Sequence, residues 1–254
     1  MDSGFTTPLL DLFRREEVAH DVKMVAAKGA LAPRAHEQLG LLVLLQGDSN
    51  PEVASTAEAT LQAIPRDAIA AFLGRPDAPT ELRTFFSKRG IEPGAAAAGT
   101  DAPVIDTAPD DGPAEDEDDE GSAVQRLAGM NVPQKVSRAT KGTREERSLL
   151  IRDPNKMIAT AVLSSPKLTT SEVEAFARAG NVAEDVLRII ARTRAWMKNY
   201  NVVVALTKNP KTPVAISMNL LPRLAERDLR MLSTDRNVPD VLRVSARKKV
   251  VLDK

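Results

Sequence analysis

The chain has 254 residues, enough to bury a core, with 35 Lys plus Arg set against 35 Asp plus Glu and no cysteine. The missing cysteine excludes disulfides, thiol catalysis, zinc ribbons and iron–sulfur ligation. Two histidines are too few for a histidine-rich metal site, and 3% aromatics too few for stacking platforms on single strands. The cancelling charge hides a segregation: residues 1–89 hold 12 acids and 10 bases, residues 90–125 hold 11 acids and no base, and residues 126–254 hold 12 acids and 25 bases.

In chain order, residues 1–17 carry Asp2, Asp11, Arg14, Arg15, Glu16 and Glu17 and read as no export signal. The most apolar run, 39–45, is far shorter than the roughly 20 residues that span a bilayer, so the expected location is cytoplasmic. Residues 34–46 predict a helix apolar on every side, hence a central one. Gly47, Asp48, Ser49 and Asn50 stop it, and Pro51 opens the next helix over 52–64, where its missing N–H costs nothing. A short helix follows to Leu73, and Thr80 is the expected N-cap of another ending near Lys88.

Residues 94–121 are rich in Pro, Gly, Ala and acid, with an unbroken acidic run at 115–120. Such a segment buries too little apolar surface to offset its ordering entropy. Three parts are therefore expected: an N-terminal helical repeat domain (1–93), a disordered acidic linker (94–125) and a basic C-terminal helical repeat domain (126–254). The linker reads either as a solvated spacer or as a shield for the basic part.

Beyond the linker, Thr143 precedes a helix to Arg152, and Pro154 is expected to open another to Ser164. Thr169 and Glu172 form a capping box for 171–178, with Val173, Phe176 and Ala177 on one face. Residues 183–194 predict a helix with Val186, Leu187 and Ile190 inward. The β-branched run at 202–206 also suits a strand, but no neighbouring strand exists to pair with it, so helix is expected.

Shifted by 56 residues, the C-terminal part matches itself. Pro154 meets Pro210, Ala159 meets Ala215, Pro166 meets Pro222, Leu168 meets Leu224, Asn181 meets Asn237 and Val182 meets Val238. After a one-residue deletion, 185–188 matches 240–243, and Ala191 and Arg192 match Ala246 and Arg247, making 12 identities over about 39 positions. A fainter third copy places Ile69, Phe72, Pro79, Leu82 and Arg83 on Leu229, Leu232, Pro239, Leu242 and Arg243. Units of short helices that cannot bury their apolar faces alone stack to share a core, so an all-α, HEAT-like α-solenoid is the expected fold.

The hexapeptide at 208–213, Lys-Asn-Pro-Lys-Thr-Pro, preceded by the apolar 202–206 and followed by Leu220 and Leu221, resembles the Asn-Pro-x-Thr-Pro signature of leucine-rich-repeat-variant proteins. The wider pattern, over about 100 residues from Arg152 to Val250, resembles bacterial HEAT-like helical-repeat families. Known leucine-rich-repeat-variant proteins carry a cysteine-ligated iron–sulfur module, which this chain lacks. The resemblance implies a scaffold for macromolecules rather than a reaction.

No catalytic, cofactor or metal site is expected. His20 and His36 read as ordinary surface or helix-end residues, and the pairs Glu145/Glu146 and Glu184/Asp185 lie near helix starts, where acids complement the macrodipole. An excision enzyme on a HEAT-like scaffold would want an acid beside an exposed aromatic, yet the acid nearest Trp196 is Asp185.

The repeated arginines give the partner-binding candidates. Arg188 and Arg192 share a helix face, Arg243 and Arg247 are their equivalents, and Arg194 and Lys248 extend the stripe. The bland reading is a solvated basic face. Trp196 and Tyr200 lie beside it, either as packing residues or as exposed anchors. The expected function is a non-enzymatic adaptor holding a protein partner with an acidic segment. The alternative is nucleic-acid binding by the basic part, opposed by the acidity of the rest. No cofactor is implied, and nothing in the sequence sets the oligomeric state.

Overall fold

Leu39, Leu41, Leu42 and Leu45 leave their helix no face to show to water, and burying each is worth about 1.5–3 kcal/mol. In the computed structural model, which describes residues 7–15, 18–95, 102–105 and 120–252, this segment is α3 (Ala35–Leu45), with all four leucines at 2% exposure or less. Three helices pack around it: α1 (Pro8–Arg14), α2 (His20–Ala27) and α4 (Pro51–Ala63). Inside α3, Glu37 is fully buried and takes a two-pronged bond from the Arg34 guanidinium at 2.9 and 3.2 Å, which removes the cost of an unpaired interior charge. Asn50 caps α4 by accepting from the Glu52 N–H at 2.9 Å, with Pro51 as its first residue, as expected.

The same compact unit holds α5 (Arg66–Leu73), α6 (Thr80–Ser87), α7 (Glu120–Ala128) and α8 (Val132–Lys141), and spans Met1–Arg147 with Thr160–Lys167. The second comprises Ser148–Ala159 and Leu168–Lys254. A boundary near residue 126 was expected, and the compact units divide elsewhere: α8 packs on α2, so it belongs with the first unit. Every regular element among the described residues is helical. None of these helices is long and apolar enough to cross a membrane.

Two helix starts carry capping boxes; the one at Thr169 was expected, whereas Thr143 was expected only to precede a helix. Thr143 accepts from the Glu146 N–H at 3.3 Å while the Glu146 carboxylate accepts from the Thr143 N–H at 3.0 Å, opening α9 (Arg144–Leu150). Glu146 lies so close over Gly142 that a Cβ there would stand 2.2 Å from its carboxylate oxygen. Thr169 and Glu172 repeat the arrangement at α11 (Thr170–Arg178), burying Val173, Phe176 and Ala177.

Three expectations need correction. Thr80 is the first residue of α6 rather than its cap, the preceding position being Pro79. Pro154 does not open α10 (Lys156–Leu163): Asn155 accepts from the Met157 N–H at 2.9 Å and caps it, leaving the proline outside. Of the segment read as linker throughout, residues 102–105 are held on the buried side chain of Gln38, and 120–125 begin α7. The acidic run, apart from Glu120, lies outside the described residues.

Within the second unit, α11 packs on α14 (Tyr200–Lys208), which packs on α15 (Val214–Leu220). Between α11 and α14 come α12 (Glu184–Arg192) and the short α13 (Arg194–Met197). A 3-10 turn, Leu221–Arg223, leads to α16 (Glu226–Leu232), and α16 packs on α17 (Asp240–Leu252). The β-branched run at 202–206 is helical, inside α14, as expected.

Candidate functional site

A four-residue turn recurs before α6, α12, α15 and α17, at 76–79, 180–183, 210–213 and 236–239, each running straight into a helix. Its third residue is buried every time: Ala78, Val182, Thr212 and Val238. In the second unit the turns are spaced by 30 and then 26 residues, so the 56-residue match spans two units of this motif rather than one. Pro210 therefore lies in a turn and not at a helix start.

Asn209, just ahead of one such turn, is 4% exposed. Its amide donates to the Ala177 and Ala179 carbonyls at 2.8 and 3.0 Å, which the end of α11 leaves without helical partners, and its oxygen accepts from the Lys211 N–H at 2.9 Å. Asn209 of the hexapeptide is thus a brace between the ends of α11 and α14.

Arg83 and Arg243 share one local geometry, which Arg188, the repeat mate of Arg243, does not reproduce. Arg83 donates to the carbonyl of Arg75 and, at 3.0 Å, to that of Leu73. Arg243 donates to the carbonyl of Asp235 at 3.4 Å and pairs with Asp240. In both, a guanidinium reaches the carbonyl eight residues back and closes the turn ahead of its own helix. Arg247 donates to the Ser233 carbonyl at 3.2 Å, and Arg188 pairs with Glu184 one turn earlier on α12. Arg192 and Arg194 are exposed. Of the four arginines expected to form one array, Arg188, Arg243 and Arg247 bond to groups of their own helices and turns.

The two aromatics are also placed. Trp196 is half-buried in α13. Tyr200 is 40% exposed, yet its hydroxyl donates to Asp228 at 2.7 Å and accepts from the Ala225 N–H at 2.9 Å, beside the first turn of α16. Lys208 adds an ion pair to Asp228 at 3.3 Å. The Tyr200 hydrogen bond, and then Lys208, hold the Asp228 carboxyl below its ordinary value, while burial and the Asp228 charge push the Tyr200 hydroxyl up. Tyr200 is a strut between α14 and α16 rather than a free anchor.

What α17 turns outward was not anticipated. Leu242 and Ala246 are buried on its inner side. Val241, Val244, Lys248 and Val251, at spacings of three, four and three, share the opposite face, and the valines are 60%, 47% and 68% exposed. Arg247, also exposed, borders them. The signal was present in the sequence as valines at helical spacing.

Candidate chemistry is sparse. Among the described residues no group of three or more His, Asp or Glu is placed to hold a metal ion. His20 lies 3.3 Å from the Asn50 amide on an exposed edge. Asp185 pairs with Lys156 at 2.8 Å. A surface depression of about 370 Å³ is lined by Arg83, Thr84, Ser87, Lys88, Glu92 and Pro93, where the Ser87 hydroxyl donates to Glu92 at 2.7 Å with no imidazole among the lining residues. Comparison with known protein families, curated proteins and solved structures gave no match.

Proposed function

We propose that the protein is a non-enzymatic cytoplasmic adaptor of HEAT-like, leucine-rich-repeat-variant character, and that the outward face of α17 receives an acidic, partly apolar segment of a protein partner. One observation carries this reading: three valines stand exposed on a single helical face, bordered by Arg247 and Lys248. Valine is a poor helix former, and solvent gives no reason to place three on one exposed face, whereas a partner that covers them does. A phosphate backbone would be met by cations at those positions, which is why nucleic acid ranks second.

The test is a crosslinking pull-down of the full chain from native extract, with and without nuclease, beside the triple variant Val241→Ser, Val244→Ser and Val251→Ser. Capture of a specific protein should resist nuclease and fall at least about tenfold in the variant, since losing even 1.4 kcal/mol of apolar burial has that effect. Undiminished capture by the variant would place the surface elsewhere, and nuclease-sensitive capture would favour nucleic acid.

A further inference from the structure

Gln38, on the central helix α3, is 1% exposed, and its amide is fully satisfied. Nε2 donates to the Gly29 carbonyl at 2.7 Å and to the Ile105 carbonyl at 2.8 Å. Oε1 accepts from the N–H groups of Val104 and Ile105 at 2.8 and 3.0 Å. Three of its four bonds thus go to the main chain of a segment more than sixty residues away, and two successive N–H groups converge on one oxygen. The side chain of Ile105 has a seat of its own. A Cβ on Gly29 would stand 3.5 Å from Ile105 Cδ1 and 3.6 Å from Thr60 Cγ2, and Gly29 has φ +77°.

We infer that Gln38, with the Gly29 and Thr60 surface beside it, is a docking site for a bent aliphatic peptide, occupied in cis by Val104 and Ile105 and open to a partner segment of the same chemistry. The recognition has two parts. The amide reads main chain, which any residue but proline supplies, and the seat beside Gly29 selects an aliphatic side chain. Among the described residues of the acidic stretch, Val104 and Ile105 are held this way, and Pro103, Val104 and Ile105 are half-buried rather than enclosed. A few hydrogen bonds of modest net strength, set against the entropy of ordering the backbone, give weak intrinsic binding. The chain's own connectivity raises the effective concentration of the strap to about the millimolar range, enough to occupy a weak site while leaving it exchangeable. When the strap leaves, Gln38 faces an interior position with two acceptor bonds and one donor bond unmade, and another peptide's main chain restores all three. This site belongs to the first unit and does not depend on the α17 reading.

The experiment uses the full chain and a fluorescein-labelled peptide with the sequence of residues 99–108, GTDAPVIDTA. Fluorescence anisotropy compares the native chain with a strap variant carrying Val104→Pro and Ile105→Asp. The peptide should bind the strap variant at least about tenfold more tightly than the native chain, because the cis competitor is gone. Adding Gln38→Leu to the strap variant should abolish binding. Because that change also removes the bond to Gly29, a peptide with proline at both strap positions is the control on the other partner, and it should bind neither chain. Equal binding to native and strap chains would overturn the proposal, as would no binding up to millimolar peptide. A strap variant that melts at lower temperature without gaining peptide affinity would show a structural strap only, and would overturn it too.

Discussion

Thr212 is the one polar residue at the buried third position of the recurring turn. It is 3% exposed, its hydroxyl has no hydrogen-bond partner, and its counterparts Ala78, Val182 and Val238 are apolar at 6%, 0% and 3% exposure. An interior hydroxyl without a partner forfeits its hydration, a penalty of about 1–3 kcal/mol. Valine keeps the branched shape and replaces the hydroxyl with a methyl group, so Thr212→Val should stabilise the chain by about 1 kcal/mol, allowing for imperfect packing of the new methyl. For a chain of this size that raises the melting temperature by about 2–4 °C. The reverse change, Val182→Thr, introduces the same orphan at a fully buried site and should destabilise by about 1–3 kcal/mol. Urea titrations of the full chain should be followed by far-ultraviolet circular dichroism and by the fluorescence of Trp196, the sole tryptophan, which reports on the second unit. A neutral or destabilising Thr212→Val would refute the reasoning, showing that the hydroxyl has a partner and that the turns are not equivalent.

Asn209→Ala strips the brace from the Ala177 and Ala179 carbonyls and should cost about 1–3 kcal/mol in the same titration. Leu187→Ala and Leu242→Ala, at 0% and 1% exposure, should each cost about 2–5 kcal/mol, whereas Pro210→Ala, in an exposed turn, should cost about 1 kcal/mol or less; equal losses would contradict the packing described. Asp228 has its carboxyl held below 3.8 by the Tyr200 hydrogen bond and then by Lys208, so its contribution is fully present above the unfolded value and is lost as pH falls through the lower folded one. Asp228→Asn should therefore flatten the fall in stability below about pH 4, and an unchanged acid limb would refute this.

Apolar periodicity and the Thr169 capping box were legible because each is a local pattern: α3, the Thr169 start and the inward face of α12 all follow from residues within four positions of one another. The start of α8 carried an equally local signal that was not read, an Asn131 to Gln134 box with Pro133 in the first turn. The prolines misled for a physical reason. Asn50 and Asn209 make the same bond to the N–H two residues on, and each is followed by proline. Only the first continues as helix, because Pro213 disfavours the helical backbone at Thr212 and so enforces a turn before α15. The strap at 102–105 was illegible for the opposite reason: its partner is one glutamine far along the chain, and composition says nothing about a single buried amide.

The arginines show where function is to be sought in a chain with internal repeats. A residue present at the same place in several copies is doing what every copy needs. Arg83 and Arg243 show what that is, since each ties down the carbonyl eight residues back and fixes the angle at which its helix leaves the turn. Recurrence selected them as candidates, and at Arg83 and Arg243 the recurring bond is a local, structural one. A binding surface demands the reverse, a departure that the shared architecture does not require. Val244 and Val251 of α17 are such departures, whereas Val241 repeats Val186 in identity and differs from it in being exposed. At the position of Val244, the matching helix α12 carries Ile189, which is only partly exposed. Gln38 is another, a buried amide with no counterpart in the recurring turns and with three bonds directed at the main chain of a distant segment. Substituting a shared arginine should therefore move stability first and binding only in proportion, whereas substituting the α17 valines or the strap should move binding while the helices stay intact. That separation, measured on the same chain by melting and by capture, distinguishes the scaffold from the surface it presents.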